Sequence, residues 1–242
     1  MGLTIPNISN LPGVSRPGGG AGFANNYSLN FVRANYSQLR FTPQTMGTTS
    51  ISLWFLTDIA NTGNSSKGLL VGHNIQVPQS GISINEVSGN IRIVYTSNSA
   101  TKQWNTTIPF VVNQWYHIVI THSGDNSNIV QAAINGASLV SPTFNNTFTT
   151  PPIFAAVGNL WAANPNFGFG GNIDEFAIIP SRLSDSQVSS IYNSGKPNSL
   201  ESFNPSIWYR FQEGSGTSPV NSGSAVVNST ITYPGTYDTN VP

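Results

Sequence analysis

The sequence predicts an all-β fold, a two-sheet antiparallel sandwich of the jelly-roll type. Three observations carry the prediction. Apolar residues recur with period two in short runs. Turn residues separate those runs at even intervals, and one short amphipathic helix interrupts them near residues 184–193. The 242 residues are enough for one large β domain with its own core.

Residues 1–26 stand apart. Pro6, Pro12 and Pro17 followed by Gly18-Gly19-Gly20 read as an extended arm. From residue 27 to 242 the chain reads as a single domain. Leu29 and Phe31, then Leu39 and Phe41, flank a polar stretch. Ile51–Leu56 and Gly68–Gly72 are short buried strands. Ile82–Ile84 and Ile91–Tyr95 form a hairpin around Ser88-Gly89-Asn90. Trp115–Thr121 is the strongest strand, with Trp115, His117, Val119 and Thr121 on one face and Tyr116, Ile118 and Ile120 on the other. Trp54 and Trp115 are expected in the core. Ile129–Ile134 leads into the turn Asn135-Gly136. Ile153–Val157, Phe167–Phe169 and Ile173–Ile179 follow as strands.

Ser184 and Gln187 have the spacing of a capping box. Val188, Ile191 and Tyr192 share one helical face. Gly195 is the expected left-handed terminator, and Pro197 stops the helix. After Gly214 the chain turns polar, then returns as one or two strands around Ala225–Val227 and Ile231–Tyr233, closing the sheet near the first strand.

Charge excludes several functions. Nine Lys and Arg balance nine Asp and Glu, and charged residues make up 7% of the chain against roughly 25% in ordinary domains. There is no basic footprint for nucleic acid or an anionic membrane. The absence of cysteine excludes thiol catalysis and Cys-ligated zinc. Residues 1–20 lack the pattern of a signal peptide, and no apolar run reaches the length of a membrane span. Synthesis in a cytoplasm is expected.

Four segments resemble a known family. Ser50-Ile51-Ser52-Leu53-Trp54-Phe55 is similar to its "t-i-S-x-W" strand. Gln114–Thr121 is similar to "W-x-H-v-a-v-T", followed by Ile134-Asn135-Gly136. Gly171-Asn172-Ile173-Asp174-Glu175-Phe176 runs on to Leu183-Ser184-Asp185, like "G-x-I-D-E-v". Trp208–Thr217 resembles "W-x-f-x-E-G-S-G-T". Together they resemble the laminin-G-like group of concanavalin A-like lectin/glucanase domains, from about Tyr27 to Tyr233. The resemblance implies two packed antiparallel sheets of about six or seven strands each. Tyr192-Asn193-Ser194-Gly195 ahead of Trp208-Tyr209-Arg210 looks like the order found in phage and marine-virus structural proteins. That likeness implies a virion head or tail decoration or fibre subunit, and the fold family leaves a stand-alone carbohydrate-binding lectin module of a cell-surface protein as the alternative.

Chemistry is not expected. Glycoside hydrolysis needs two carboxyl groups facing one sugar. None of Glu86, Glu175, Glu201 and Glu213 has the i, i+4 spacing, and adjacent Asp174 and Glu175 should point to opposite faces of a strand. His73, His117 and His122 are read as structural. No cofactor is required. Calcium is not expected, although family relatives often bind it, and Asp174 is its best candidate ligand. Glycan contact is the remaining option. Trp161, Asn164, Asn166 and Phe167 in one loop, and Trp104 with Asn105, combine aromatic faces with amides. The expected partners are other virion proteins or further copies of the chain, held through the arm, with glycans as ligands.

Overall fold

The computed structural model describes residues 23–35, 37–45, 47–58, 67–71, 81–87, 90–97, 100–109, 111–122, 130–139, 153–159, 168–232 and 235–242. Among the described residues, fifteen strands form two antiparallel sheets, with one α-helix beside them. The strands are β1 (Ser28–Phe31), β2 (Gln38–Thr45), β3 (Thr49–Thr57), β4 (Lys67–Val71), β5 (Gly81–Val87), β6 (Asn90–Ser97), β7 (Ala100–Pro109) and β8 (Trp115–His122). They continue as β9 (Val130–Ile134), β10 (Ala137–Leu139), β11 (Ile153–Val157), β12 (Gly171–Ile179), β13 (Ile207–Tyr209), β14 (Ser229–Thr232) and β15 (Thr236–Asp238). The helix α1 spans Asp185–Tyr192.

One sheet runs β10-β9-β8-β3-β12-β1-β15, with β13 also on β12. The other runs β14-β2-β11-β4-β5-β6-β7. This is the sandwich the sequence predicts. Its core lies between the sheets, where Leu29, Phe31, Ile51, Leu53, Phe55, Ile91, Ile93, Ile118, Phe176 and Tyr209 are buried in one cluster. Burial of this area is the main favourable term for such a fold. In β8, Tyr116, Ile118 and Ile120 join the core, while Val119 belongs to a second cluster on the opposite face.

That second cluster lies under α1. Leu183, Val188 and Ile191 pack on Val119, Ala133, Ala177, Ile179 and Trp208. Ser184 caps the helix, accepting from Gln187 N–H while the Gln187 side chain accepts from Ser184 N–H. Trp54 belongs to this outer layer. It is buried against His117 and Tyr192, with centroids 4.8 Å and 5.7 Å away. The Asn135-Gly136 turn presses on the same ring. A Cβ at Gly136 would meet Tyr192 Cδ1 at 2.7 Å, and both turn residues have positive φ.

Several sequence expectations need correction. Trp115 is only half-buried, and its Nε1–H donates to Asn240 instead of packing in the core. Gly168 and Phe169 form no strand: the Phe169 ring is in the core, but its N–H goes to the Gly158 carbonyl. The helix cap is Asn193 (φ 46°), with Ser194 and Gly195 also left-handed after it. The returning chain strands at 229–232 and 236–238, one in each sheet, while 225–227 is irregular. The second of these, β15, does close the sheet beside β1.

Candidate functional site

The site grows from an irregularity in β12. Along one edge, Gly171–Ile173 pair with β1. Further along the same edge, Phe176–Ile178 pair with β13. Between these partners the register against β3 shifts, from Asp174 to Ala177. Glu175 takes φ 47°, outside the usual region for a side-chain-bearing residue. This is a β-bulge. Ile173 and Phe176 both reach the core, so Asp174 and Glu175 both turn to the outer face. The expectation that adjacent acids point apart is overturned by this extra residue.

Both carboxyls are buried. Asp174 Oδ1 accepts from the Glu175 N–H at 2.8 Å, and Oδ2 accepts from Asn25 Nδ2 at 2.8 Å. Glu175 Oε2 accepts from Trp208 Nε1–H at 2.6 Å. Its Oε1 lies 3.5 Å from Arg210 Nε, an ion pair without a hydrogen bond. Burial pushes the Asp174 carboxyl well above its usual range, and the neighbouring Glu175 charge adds to this. Burial pushes Glu175 up to about 8, although Arg210 pulls the other way. The cluster therefore favours holding a proton.

A strap seals it. Phe23–Asn26 continue β1 backwards across the gap between β1 and β13. Phe23 stacks on Trp208 at 6.2 Å and 6°, with the Arg210 guanidinium 4.3 Å from its centroid. Arg210 donates to the Ala24 carbonyl, and Asn26 N–H donates to Gln212 Oε1. Gln212 Nε2 donates to Asn25 Oδ1 and to the Tyr27 carbonyl. Asn25 is thus held at both ends of its amide.

Beside the strap lies a cleft of about 510 Å³. Phe23 and Asn25 form one wall, and Asn193, Lys196 and Asn198 of the turn after α1 line the other. Composition gave no pointer to this cleft, because its lining joins Phe23 and Asn25, the turn at 193–198 and Pro242, three segments distant along the chain. The bulge did leave a signal: apolar Ile173, Phe176 and Ile178 are spaced three and then two.

The expected glycan residues fall elsewhere. Trp161, Asn164, Asn166 and Phe167 lie outside the described residues, as does His73. Trp104 and Asn105 lie on β7, registered with Ile93 and Arg92 of β6, and their side chains are likewise outside the described set. His117 is buried, with Nε2 2.9 Å from Ser52 Oγ and Nδ1 unpartnered among the described residues. His122 Nδ1 lies 3.3 Å from the Gly47 carbonyl. Asp174, the calcium candidate, accepts from Asn25 Nδ2 and from the Glu175 N–H. Among the described residues, no group of three or more His, Cys, Asp or Glu could hold a metal.

The fold is shared with solved structures. A Bacteroides ovatus protein to which carbohydrate binding has been ascribed aligns with a TM-score of 0.64 at 11% identity, over 88% of this chain and 60% of that one. A native heptameric SAP-like pentraxin from Limulus polyphemus aligns with a TM-score of 0.54 at 17% identity, over 86% of this chain and 95% of that one. At these identities the likeness is one of fold. This chain spans only 60% of the length of the Bacteroides protein. No curated protein matches the sequence. The family model described as Laminin_G_3, concanavalin A-like lectin/glucanases superfamily, matches residues 32–189, well over half of the chain. With two antiparallel sheets, the helix on the outer face and the Asp174–Glu175 strand in place, the chain belongs to the concanavalin A-like lectin/glucanases superfamily.

Proposed function

We propose that this protein is a non-catalytic carbohydrate-binding module. One observation carries the non-catalytic half. The adjacent acids on β12, a buried carboxyl pair among the described residues, are closed beneath Phe23–Asn26 and committed to Asn25, Trp208 and Arg210. A hydrolase needs two carboxyl groups open to the same sugar. The lectin-like fold and the carbohydrate binding ascribed to the Bacteroides protein support the binding half. The glycan-contacting set we propose is Trp161, Asn164, Asn166 and Phe167 with Trp104 and Asn105. Rings of this kind stack on sugar C–H faces while amides read hydroxyls.

A glycan array tests the reading. The unmodified protein should retain a defined set of glycans and release no reducing sugar from them. Trp161→Ala should abolish retention with the melting temperature unchanged. Undiminished binding by that variant, or hydrolysis of a bound glycan, would overturn the reading.

The order of segments favours a setting for the module. The Tyr192–Gly195 turn precedes the Trp208–Arg210 segment, as in phage structural proteins. We therefore propose a virion surface subunit joined through residues 1–26 to other virion proteins or to further copies. Loss of residues 1–22, which leaves the Phe23–Asn26 strap in place, should then prevent incorporation into particles.

A further inference from the structure

We infer that the Phe23–Asn26 strap is a proton-gated latch. It lies closed over Asp174 and Glu175 while the two acids hold a proton between them, and it swings away when they lose it. The sandwich stays folded in both positions. The latch works without any carbohydrate.

Charge balance sets the gate. Beneath the strap are two buried carboxyls and one guanidinium, that of Arg210. With one proton on the acid pair the group is neutral. Without it, one buried negative charge has no counter-ion, which is costly. The proton belongs to the pair, since the acids are adjacent and interact. The bulge in β12 makes this arrangement, because it turns both side chains to the same outer face. Glu175 Oε1 also lacks a hydrogen-bond donor among the described residues.

No second cation stands nearby among the described residues. On β3 the register neighbour of Asp174 is Trp54, and beyond it on β8 burial keeps His117 neutral. Glu213, past Gln212, accepts from Val220 N–H. Lys196 is exposed and lies along the cleft on the other side of Asn25.

The strap is the part free to move. Phe23–Tyr27 carry no strand pairing, whereas β12 is laddered to β3 along its length. Moving the acids would break the larger sheet. Moving the strap breaks the Asn25, Asn26 and Ala24 hydrogen bonds and the Phe23 stack on Trp208. Short segments with few, half-exposed ties open at the low end of local stability.

Two influences of the strap oppose each other. The Asn25 N–H favours ionised Asp174, while the cover withholds water from both acids. Burial is the larger influence on each acid, so ionisation favours opening. Arg210 joins the two sides: its Nε faces Glu175 at 3.5 Å while its Nη2 donates to the Ala24 carbonyl at 2.6 Å.

Hydrogen exchange of the full chain from pH 6 to pH 9, with rates corrected for their intrinsic pH dependence, tests the latch. Protection of the Asn26 N–H should fall, by about tenfold per pH unit where one proton is released. The Val119 and Ile120 amides of β8 should keep theirs. Glu175→Gln and Asp174→Asn each leave one carboxyl for one guanidinium, so Asn26 protection should become flat across the range in both. Phe23→Ala removes the ring contact and should move the fall to lower pH. The latch is refuted if Asn26 protection is constant in the parent, or if its fall persists in either carboxyl variant. It is also refuted if the β8 amides lose protection in step, which means global unfolding, or if Lys196→Met abolishes the fall, which assigns it to the ammonium.

Discussion

The outer face of the larger sheet buries ionisable groups in two places, and it does so in opposite ways. On β8, His117 is enclosed by aromatic rings, Trp54 on one side and Tyr192 of the helix at 6.1 Å. The described hydrogen-bond partner of its imidazole is Ser52. Burial lowers its pKa to about 3, so it is neutral. On β12, Asp174 and Glu175 sit among polar partners from the strap and from β13, and burial raises both. One patch excludes a proton and the other retains one. Burial disfavours the charged form in each patch, because the cost of a buried charge is large unless it is paired, and in the second Arg210 opposes it. Aromatic enclosure suffices for an imidazole. Two adjacent carboxyls need a cation and several donors.

Removing Trp208 should separate the patches most sharply. Trp208 belongs to the outer apolar cluster and also donates to Glu175. Trp208→Ala should cost about 4 kcal/mol in urea denaturation, in the range for buried aromatic truncations. Trp208→Phe should recover most of the apolar loss but not the lost donor. Full recovery by Phe would mean that the Glu175 bond contributes nothing.

The pH dependence is comparable in size. The folded imidazole refuses a proton that the unfolded one accepts below pH 6.5. Relative to His117→Gln, the parent protein should therefore lose stability as pH falls from 6.5 towards 3. The folded Glu175 carboxyl keeps a proton that the unfolded one releases above pH 4.5. Relative to Glu175→Gln, the parent should lose stability as pH rises from 4.5 to 8. Each slope should approach about 1.4 kcal/mol per pH unit at its steepest. Denaturation of the three proteins across this range checks both signs, and parallel curves would dissolve the contrast.

The smallest effect concerns the lid over the imidazole. Ser184→Ala removes the helix cap and should cost about 1 kcal/mol in the same measurement. It should leave the strap contacts to Asp174 and Gln212 unchanged, as read by amide exchange at Asn25 and Asn26.

The two strands also mark what the sequence could convey. In β8, Tyr116, Ile118 and Ile120 keep strict alternation, so period two reads the faces correctly. In β12 the spacing of Ile173, Phe176 and Ile178 slips by one, and a reading that assumes alternation puts the acids on opposite faces. The bulge depends on a tertiary circumstance, the change of partner from β1 to β13, which local periodicity does not encode. The capped helix and the Asn135-Gly136 turn were legible because their determinants lie within a few residues. The strap was not, since Phe23, Asp174 and Gln212 are distant in sequence and nothing in Phe23-Ala24-Asn25-Asn26 announces a partner. Trp115 failed for a related reason: its position at the strand's start leaves it half-buried, where its indole meets Asn240.

The place of β1 has a consequence for the order of assembly. Its neighbours are β12 and β15, so Leu29 pairs with Ile173 on one side and Tyr237 on the other. The β5–β6 hairpin can form from neighbouring residues alone. β1 has no such option: it must stay unpaired until β12, more than 130 residues on, is available. Closure of the larger sheet is then a late, long-range event whose loop entropy is met only when the rest of the sandwich stands. On a ribosome, β1 would emerge well before β12 and β15 and wait for both to find its place.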